Sequence, residues 1–398
     1  MTSGGLGRRG IRPHDGRVRT DRWAHTADAL RTRLVRRITD SGRLADPAWR
    51  AAFEAVPRHL FVPYYFRPLP GGAGYDRLAA DDPDARRRTR WLTGAYEDAP
   101  LVTRVSGGRL VSSSSQPSLM AMMLEALQVR EGHRVLEIGA GTGYNAALLA
   151  HRLGPEAVTT VDLDAEITDA AREHLDAAGF SPRPDGLGTV AVVTGDGALG
   201  CPERGPYDRI VATCELAAVP APWTRQCVPG GVVLAPLAGG LIALRVAGRG
   251  RAGGRFLDTP AYFVALRGPG GYVPPPVVVG DGERVRRTGT PPAVLDDDSF
   301  RFLLTLAVGE LDVNWAYGGR GVALTAGDGA TARADRDGTV HLAGPYDLWT
   351  EVERCHALWR DAGMPGRERF GVTVDGDRQW AWLDDPEGPC TWDLTGRG

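Results

Sequence analysis

The sequence predicts an α/β protein built on a doubly wound parallel sheet. Three observations carry that prediction. From residue 118 onward, short runs rich in Val and Ile alternate with helical patterns. The runs RVLEIGA, AVTTVDLD, TVAVVTGD, YDRIVATC and GGVVLAPL carry little charge through most of their length, as strands covered on both faces must. Before the first strand stands LMAMMLEAL, and between the next stand YNAALLAHRL and EITDAAREHLDAAG, each reading as a helix, the last stopped by Gly179. A βαβ rhythm of this kind builds a parallel sheet with helices on both faces.

The remaining elements fall on either side. Residues 1–20 are rich in Gly and Arg and read as disordered. Residues 21–111 read as a helical cap: an apolar stripe through Ala27, Leu30, Leu34 and Ile38, then a second helix from Pro47 to Val56. The polar stretch DDPDARRRTRW, with Arg86, Arg87 and Arg88, reads as a solvated loop. The sheet-forming domain spans 112–273, with LIALRVAG and PAYFVALRG as two further strands at its edge. Residues 274–299 are rich in Pro and Gly and read as a linker. Residues 300–398 are long enough to fold alone as an α+β unit, with strands GVALTA, GTVHLA, FGVTV and QWAWLD and the helix DLWTEVERCHALWRDAG. Trp349, Val352, His356 and Trp359 share one face of that helix and read as core. Six of the ten tryptophans lie beyond residue 300, and such rings could face a peptide.

Composition narrows the function. A net charge of -2 marks no nucleic-acid or anionic-membrane partner. There is no lysine in the chain, which excludes a Schiff base and a Walker-type phosphate loop. The five cysteines are scattered without a CxxC pair, and the adjacent Cys355 and His356 point apart on a helix, so no metal site is expected. Neither a signal peptide nor a membrane span is expected, and the chain reads as cytoplasmic and monomeric.

The strongest chemical signal is VLEIGAGTGYNAALLA. Gly139, Gly141 and Gly143 follow a strand and open a helix, so the backbone turns sharply and stays bare for a ligand. The dinucleotide fingerprint places its third glycine one residue later. The shorter spacing, with Glu137 ahead of it, suits a nucleoside without a pyrophosphate. The next strand ends in VDLD, and Asp162 at its tip can accept both ribose hydroxyls. The third ends in GDG, where Asp196 can accept from an adenine amino group. The three tips outline a nucleoside crevice in a Rossmann-like sheet.

At these residues the chain resembles the class I S-adenosylmethionine methyltransferases, and more closely the protein-L-isoaspartate O-methyltransferases. The resemblance rests on VPRHLFVP, AYEDAPL, SSQP, VLEIGAGTGY, VDLD, GDG and CVPGGVVLAPL, and runs over roughly residues 25 to 266. It implies S-adenosylmethionine as cofactor, held by Glu137, Gly139, Ala140, Gly141, Gly143, Tyr144, Asp162, Leu163, Asp196 and Gly197. It implies Ser115, Ser114 and Gln116 as the catalytic stretch. Ser115 would stand before a helix opened by Pro117, where anions are favoured. A carboxylate of pKa ~4 is already ionised at neutral pH, so its methylation requires no strong base. It requires in-line placement and exclusion of water.

The implied activity is esterification of aspartyl or isoaspartyl carboxylates in a protein or peptide, leading to a succinimide. This serves isoaspartate repair, or Asp modification in a ribosomally made peptide such as a lanthipeptide or graspetide. A methyltransferase for RNA or a small molecule, and a non-catalytic cofactor-binding module, are the alternatives. Three departures bear on the choice. TRVSGGRL replaces a shorter, glycine-led lead-in to the serines. Glu215, in ATCELAAVPAPW, is expected to face the substrate crevice. The last hundred residues lie beyond the minimal family domain and could read a longer peptide.

Overall fold

The computed structural model describes residues 23–69, 74–106, 109–180, 188–268, 284–315 and 321–397. The expected disordered segment, residues 1–20, lies outside the described residues, as does most of the first half of the expected linker.

The N-terminal third holds three helices, α1 (Ala24–Asp40), α2 (Pro47–Ala55) and α3 (Ala85–Ala95). It also holds a four-stranded antiparallel sheet of β1 (Tyr64–Pro68), β2 (Tyr75–Ala79), β3 (Leu101–Ser106) and β4 (Arg109–Ser114), in the order β2-β1-β3-β4. Helix α3 corrects the loop expected over DDPDARRRTRW. Asp84 caps its first turn by accepting from the Arg86 backbone N–H at 2.8 Å. Arg87 pairs with Asp76 at 2.8 Å and Asp82 at 2.7 Å, fastening the helix to β2. The arginine run thus binds within the chain. Its helical pattern is masked in sequence by consecutive charges.

Next come α4 (Pro117–Ala126), β5 (Val135–Ile138), α5 (Tyr144–Leu153), β6 (Val158–Asp162), α6 (Ala165–Ala177), β7 (Ala191–Thr194), β8 (Tyr207–Ala212), α7 (Ala221–Gln226), β9 (Cys227–Leu237), β10 (Gly240–Gly248) and β11 (Arg251–Pro260). The chain continues through β12 (Arg284–Arg287), α8 (Asp298–Val308), β13 (Leu311–Trp315), β14 (Gly321–Ala326), β15 (Thr331–Asp335), β16 (Thr339–Ala343), α9 (Leu348–Asp361), β17 (Phe370–Asp375), β18 (Arg378–Leu383) and β19 (Thr391–Asp393).

The main sheet has ten strands in the order β19-β18-β17-β11-β10-β9-β8-β5-β6-β7. The five from β9 to β7 are parallel and the rest antiparallel. Strand order reverses on either side of β5, so the switch point, where ligands of such sheets bind, lies at Ile138 and the glycine loop after it. Alternate side chains enter two cores: Val135, Val211 and Leu234 pack with α1, α2 and α5, while Leu136, Ile210 and Val233 pack on the other face.

Two expectations are corrected at the edge. PAYFVALRG is not a strand. The strand is RAGGRFLDTP, and residues 261–268 cross the ends of the parallel strands as a strap. Residues 300–397 are not packed as a separate body. Strands β17–β19 extend the main sheet through β11, and Phe300, Leu324, Trp349 and Phe370 share one core with Leu136 and Ile210. Without β17, β11 would present an open row of backbone groups, and β17 closes it. Of the late tryptophans, Trp349, Trp359, Trp382 and Trp392 are buried, while Trp315 is exposed.

Candidate active site

Strand β5 is buried at all four residues, Glu137 included. The Glu137 carboxylate accepts from Asn145 Nδ2 at 2.7 Å and Thr160 Oγ1 at 2.6 Å, which ties β5 to α5 and β6. Burial pushes its pKa up to about 7, against those two donors. Past Ile138 the chain turns with φ +95° at Gly139, a conformation that L side chains rarely adopt. A Cβ there would also meet Thr213 Oγ1 at 2.6 Å. Thr213, the residue after β8, donates to the Gly139 carbonyl at 2.8 Å and so pins the loop. Asp162 Oδ2 accepts from the Gly141 N–H at 3.1 Å, and burial raises this carboxyl's pKa.

These groups line a cleft of ≈ 910 Å³, space open to solvent included. Of the cofactor residues expected from sequence, Glu137, Gly139, Ala140, Gly141, Tyr144, Asp162, Leu163 and Gly197 line it. Gly143 and Asp196 are not among its lining residues. Gly143, with φ +82°, is the N-cap of α5, and a Cβ there would meet the Ala171 carbonyl oxygen at 3.3 Å. The Asp196 carboxylate accepts from the Ala198 N–H at 2.9 Å, which caps a short turn.

The opposite wall is the end of β4. Ser112, Ser113, Ser114 and Ser115 all line the cleft. A Cβ on Gly141 would lie 3.6 Å from the Ser113 carbonyl oxygen, so the serine strand sits directly on the glycine loop. Gln116 is not among the lining residues. It is the N-cap of α4, and its Nε2 donates to Ser118 Oγ at 3.0 Å. The N-terminus of α4 already has an anion: Asp98 Oδ1 accepts from the Ser118 N–H at 2.9 Å.

Arg58 holds this wall. It is fully buried at 0% exposure. Its Nη1 donates to the carbonyls of Ala95 and Glu97 at 3.0 and 3.1 Å. Its Nη2 donates to the carbonyls of Ala99 at 3.2 Å, Ser115 at 3.1 Å and Ser114 at 3.4 Å. Burial lowers its pKa to about 10, still far above neutrality. Sequence reasoning missed this residue. The available signal was a lone arginine inside VPRHLFVP.

The strap closes the site. Phe263, Val264, Ala265, Leu266 and Arg267 line the cleft. Glu215 does not face the crevice as expected. Its backbone bridges to Ala265, and its Oε1 accepts from the Gly239 N–H at 2.7 Å. Burial raises its pKa to about 7. Glu215 therefore anchors the strap. Arg267 is the one cation among the described lining residues, and its Nη2 lies 3.5 Å from the Val111 carbonyl oxygen across the cleft. Among the described residues no His, Cys, Asp and Glu cluster could hold a metal ion. No helix among them is long and apolar enough to cross a membrane.

The family model "Protein-L-isoaspartate(D-aspartate) O-methyltransferase (PCMT)" matches residues 85–253. The protein-L-isoaspartate O-methyltransferase of Hyperthermus butylicus is 33% identical over 228 residues, covering 55% of this chain and 78% of the relative. The chain belongs to this methyltransferase family. A second relative, protein-L-isoaspartate O-methyltransferase 2 of Pelobacter propionicus, is 37% identical over 194 residues, 49% of this chain and 69% of the relative. A solved protein-L-isoaspartate O-methyltransferase shares the fold, with a TM-score of 0.50, 24% identity, and coverage of 86% of this chain and 96% of its own.

As a member of the family, the chain is an S-adenosylmethionine-dependent O-methyltransferase. The cleft has features such a cofactor requires: glycine backbone that no Cβ obstructs, a buried carboxylate at Asp162, and apolar walls from Ile138, Leu163 and Leu266.

Proposed function

We infer that the enzyme esterifies the carboxylate of an aspartyl or isoaspartyl residue in a protein or peptide. The observation that carries this reading is the contact of the serine strand with the glycine loop across one cleft. S-adenosylmethionine supplies a methyl group on a sulfonium, which an ionised carboxylate accepts without a base. Asp162 and the backbone of Gly139 and Gly141 would hold the cofactor. The Ser115 hydroxyl would hold one carboxylate oxygen of the acceptor and leave the other free to attack. The lining residues offer no free amine, and the buried carboxyl of Glu137 is committed to Asn145 and Thr160. Positioning and water exclusion are what the walls provide. The ester product then lets the neighbouring backbone nitrogen close a succinimide with loss of methanol.

Within this reading the acceptor is an isoaspartyl repair site or an aspartate of a dedicated peptide such as a lanthipeptide or graspetide. The elaborated four-stranded sheet ahead of the serines favours the second. The test is mass spectrometry of matched Asp and isoAsp peptides incubated with the enzyme and S-adenosylmethionine. Gain of one methyl on isoAsp alone supports repair, and gain on Asp followed by net loss of water supports tailoring. No gain on either, with the cofactor bound, rejects carboxyl methylation of these peptides.

A further inference from the structure

The four-stranded sheet has two unlike faces. On one face Tyr65 and Leu78, paired across β1 and β2, are both fully buried. The Tyr65 hydroxyl donates to the α3 carbonyls of Arg90 and Trp91 at 3.2 and 3.3 Å. Residues opposite one another in an antiparallel ladder point to the same side. The register sets Ser113 opposite Val102, Val102 opposite Phe66, and Phe66 opposite Arg77. A single row therefore runs from a serine of the active-site cleft, across all four strands, to an arginine at the far edge.

Among the described residues, that second face is open. Tyr64 and Tyr75 are 38% and 37% exposed. They flank Phe66, with ring centroids 5.9 and 6.5 Å from it. The Arg77 guanidinium lies 4.7 Å from the centre of the Tyr64 ring, and its ion pair with Asp81 is long, at 3.9 Å. The face is thus an aromatic platform with a half-exposed cation on its rim, continuous with the cleft.

Resting on the carboxyl-methylation reading, we propose that this face docks the stretch of peptide substrate beside the acceptor residue. The occupant is an extended segment with an apolar side chain and, farther out, an acidic one. The spacing follows from the sheet. Strands lie about 4.8 Å apart, so Phe66 stands about 10 Å and Arg77 about 14 Å from the Ser113 strand. An extended peptide advances about 3.3 Å per residue. The apolar residue falls three positions from the acceptor, and the acidic one four to five.

The test uses two synthetic isoaspartyl peptides. One carries only glycines around the acceptor. The other carries leucine three residues away and glutamate five residues away on both sides. The two peptides are of equal length, and the expected result is a KM roughly tenfold lower for the leucine–glutamate peptide. Phe66→Ala and Arg77→Glu should each raise that KM several-fold, leave kcat within about twofold, and leave the glycine peptide unchanged. Equal KM values in the wild type, or variants that shift both peptides alike, overturn the proposal. Fluorescence anisotropy of the labelled leucine–glutamate peptide separates this proposal from the reading it rests on. Binding that the variants abolish, without turnover on either peptide, supports docking while rejecting methylation of these acceptors. Binding indifferent to both variants overturns docking. Sedimentation of the wild type and Arg77→Glu completes the test. A dimer broken by that variant assigns the face to a second copy of the chain and overturns the proposal.

Discussion

The two walls of the cleft are built by different means. The wall proposed to hold the cofactor is local: residues 137–145 form a strand end, a three-glycine turn and a helix start, completed by Asp162 from the neighbouring strand. The wall proposed to hold the acceptor is assembled from distant parts of the chain: Arg58, Asp98, the serines and the strap, the last anchored by Glu215. Turn chemistry holds the first in shape. Tertiary hydrogen bonds hold the second, and those can be removed one at a time.

Arg58→Ala is the largest such removal. It leaves the carbonyls of Ala95, Glu97, Ala99, Ser114 and Ser115 without this donor in a buried setting. A buried acceptor left without its donor costs about 1–3 kcal/mol, and several lose theirs at once, so the loss is at least of that order. Chemical denaturation should show a loss of that size, and Arg58→Lys should recover only part of it because an ammonium lacks the planar fork. A loss within about 0.5 kcal/mol would mean that the acceptor wall stands without Arg58, and the contrast between the walls would fall.

The contrast sharpens with a pair of variants. Asp162→Ala frees the Gly141 N–H and, on the proposed roles, removes the carboxylate that would accept from the ribose hydroxyls. Hydrogen bonds to charged groups are worth about 1.5–3 kcal/mol. Titration calorimetry should therefore show S-adenosylmethionine binding weakened roughly tenfold to a hundredfold. Ser115→Ala should leave that binding within about threefold and lower kcat by about tenfold, since the hydroxyl it deletes is the one proposed to position the acceptor from the other wall. Both variants moving the same parameter would show that the two walls act as one.

This difference also explains what could be read from sequence. Gly139, Gly141 and Asp162 were legible because a positive φ and a strand-tip carboxylate leave marks at fixed local spacing. The doubly wound sheet was legible from its charge-poor strands. Arg58 was not, because nothing local shows that its guanidinium reaches carbonyls 37 to 57 residues away. PAYFVALRG has strand-like residues, but a β-bridge at Glu215 and Ala265 bends it over the site instead. Glu215 looked like a substrate-facing acid because its anchor, the Gly239 N–H, is visible only in three dimensions. The join of β17 to β11 is equally non-local, so the Pro/Gly-rich stretch read as the border of a separate unit.

The smallest expected effect concerns that anchor. Burial raises the Glu215 pKa from its ordinary 4.5 to about 7. The folded chain therefore keeps a proton that the unfolded chain releases between those values. Its contribution to stability is complete below about pH 4.5, declines as pH rises, and is gone above about pH 7. Glu137 titrates in the same window for the same reason. Melting curves from pH 4.5 to 7.5 should fall with pH in the wild type, and Glu215→Gln should remove about half of that fall, since glutamine keeps an acceptor for the Gly239 N–H and does not ionise. An unchanged pH slope would show that Glu215 is ionised in the folded enzyme at neutral pH. The strap would then be held by a charge instead of a neutral hydrogen bond, which would bring the acceptor wall electrostatically closer to the Asp162 side.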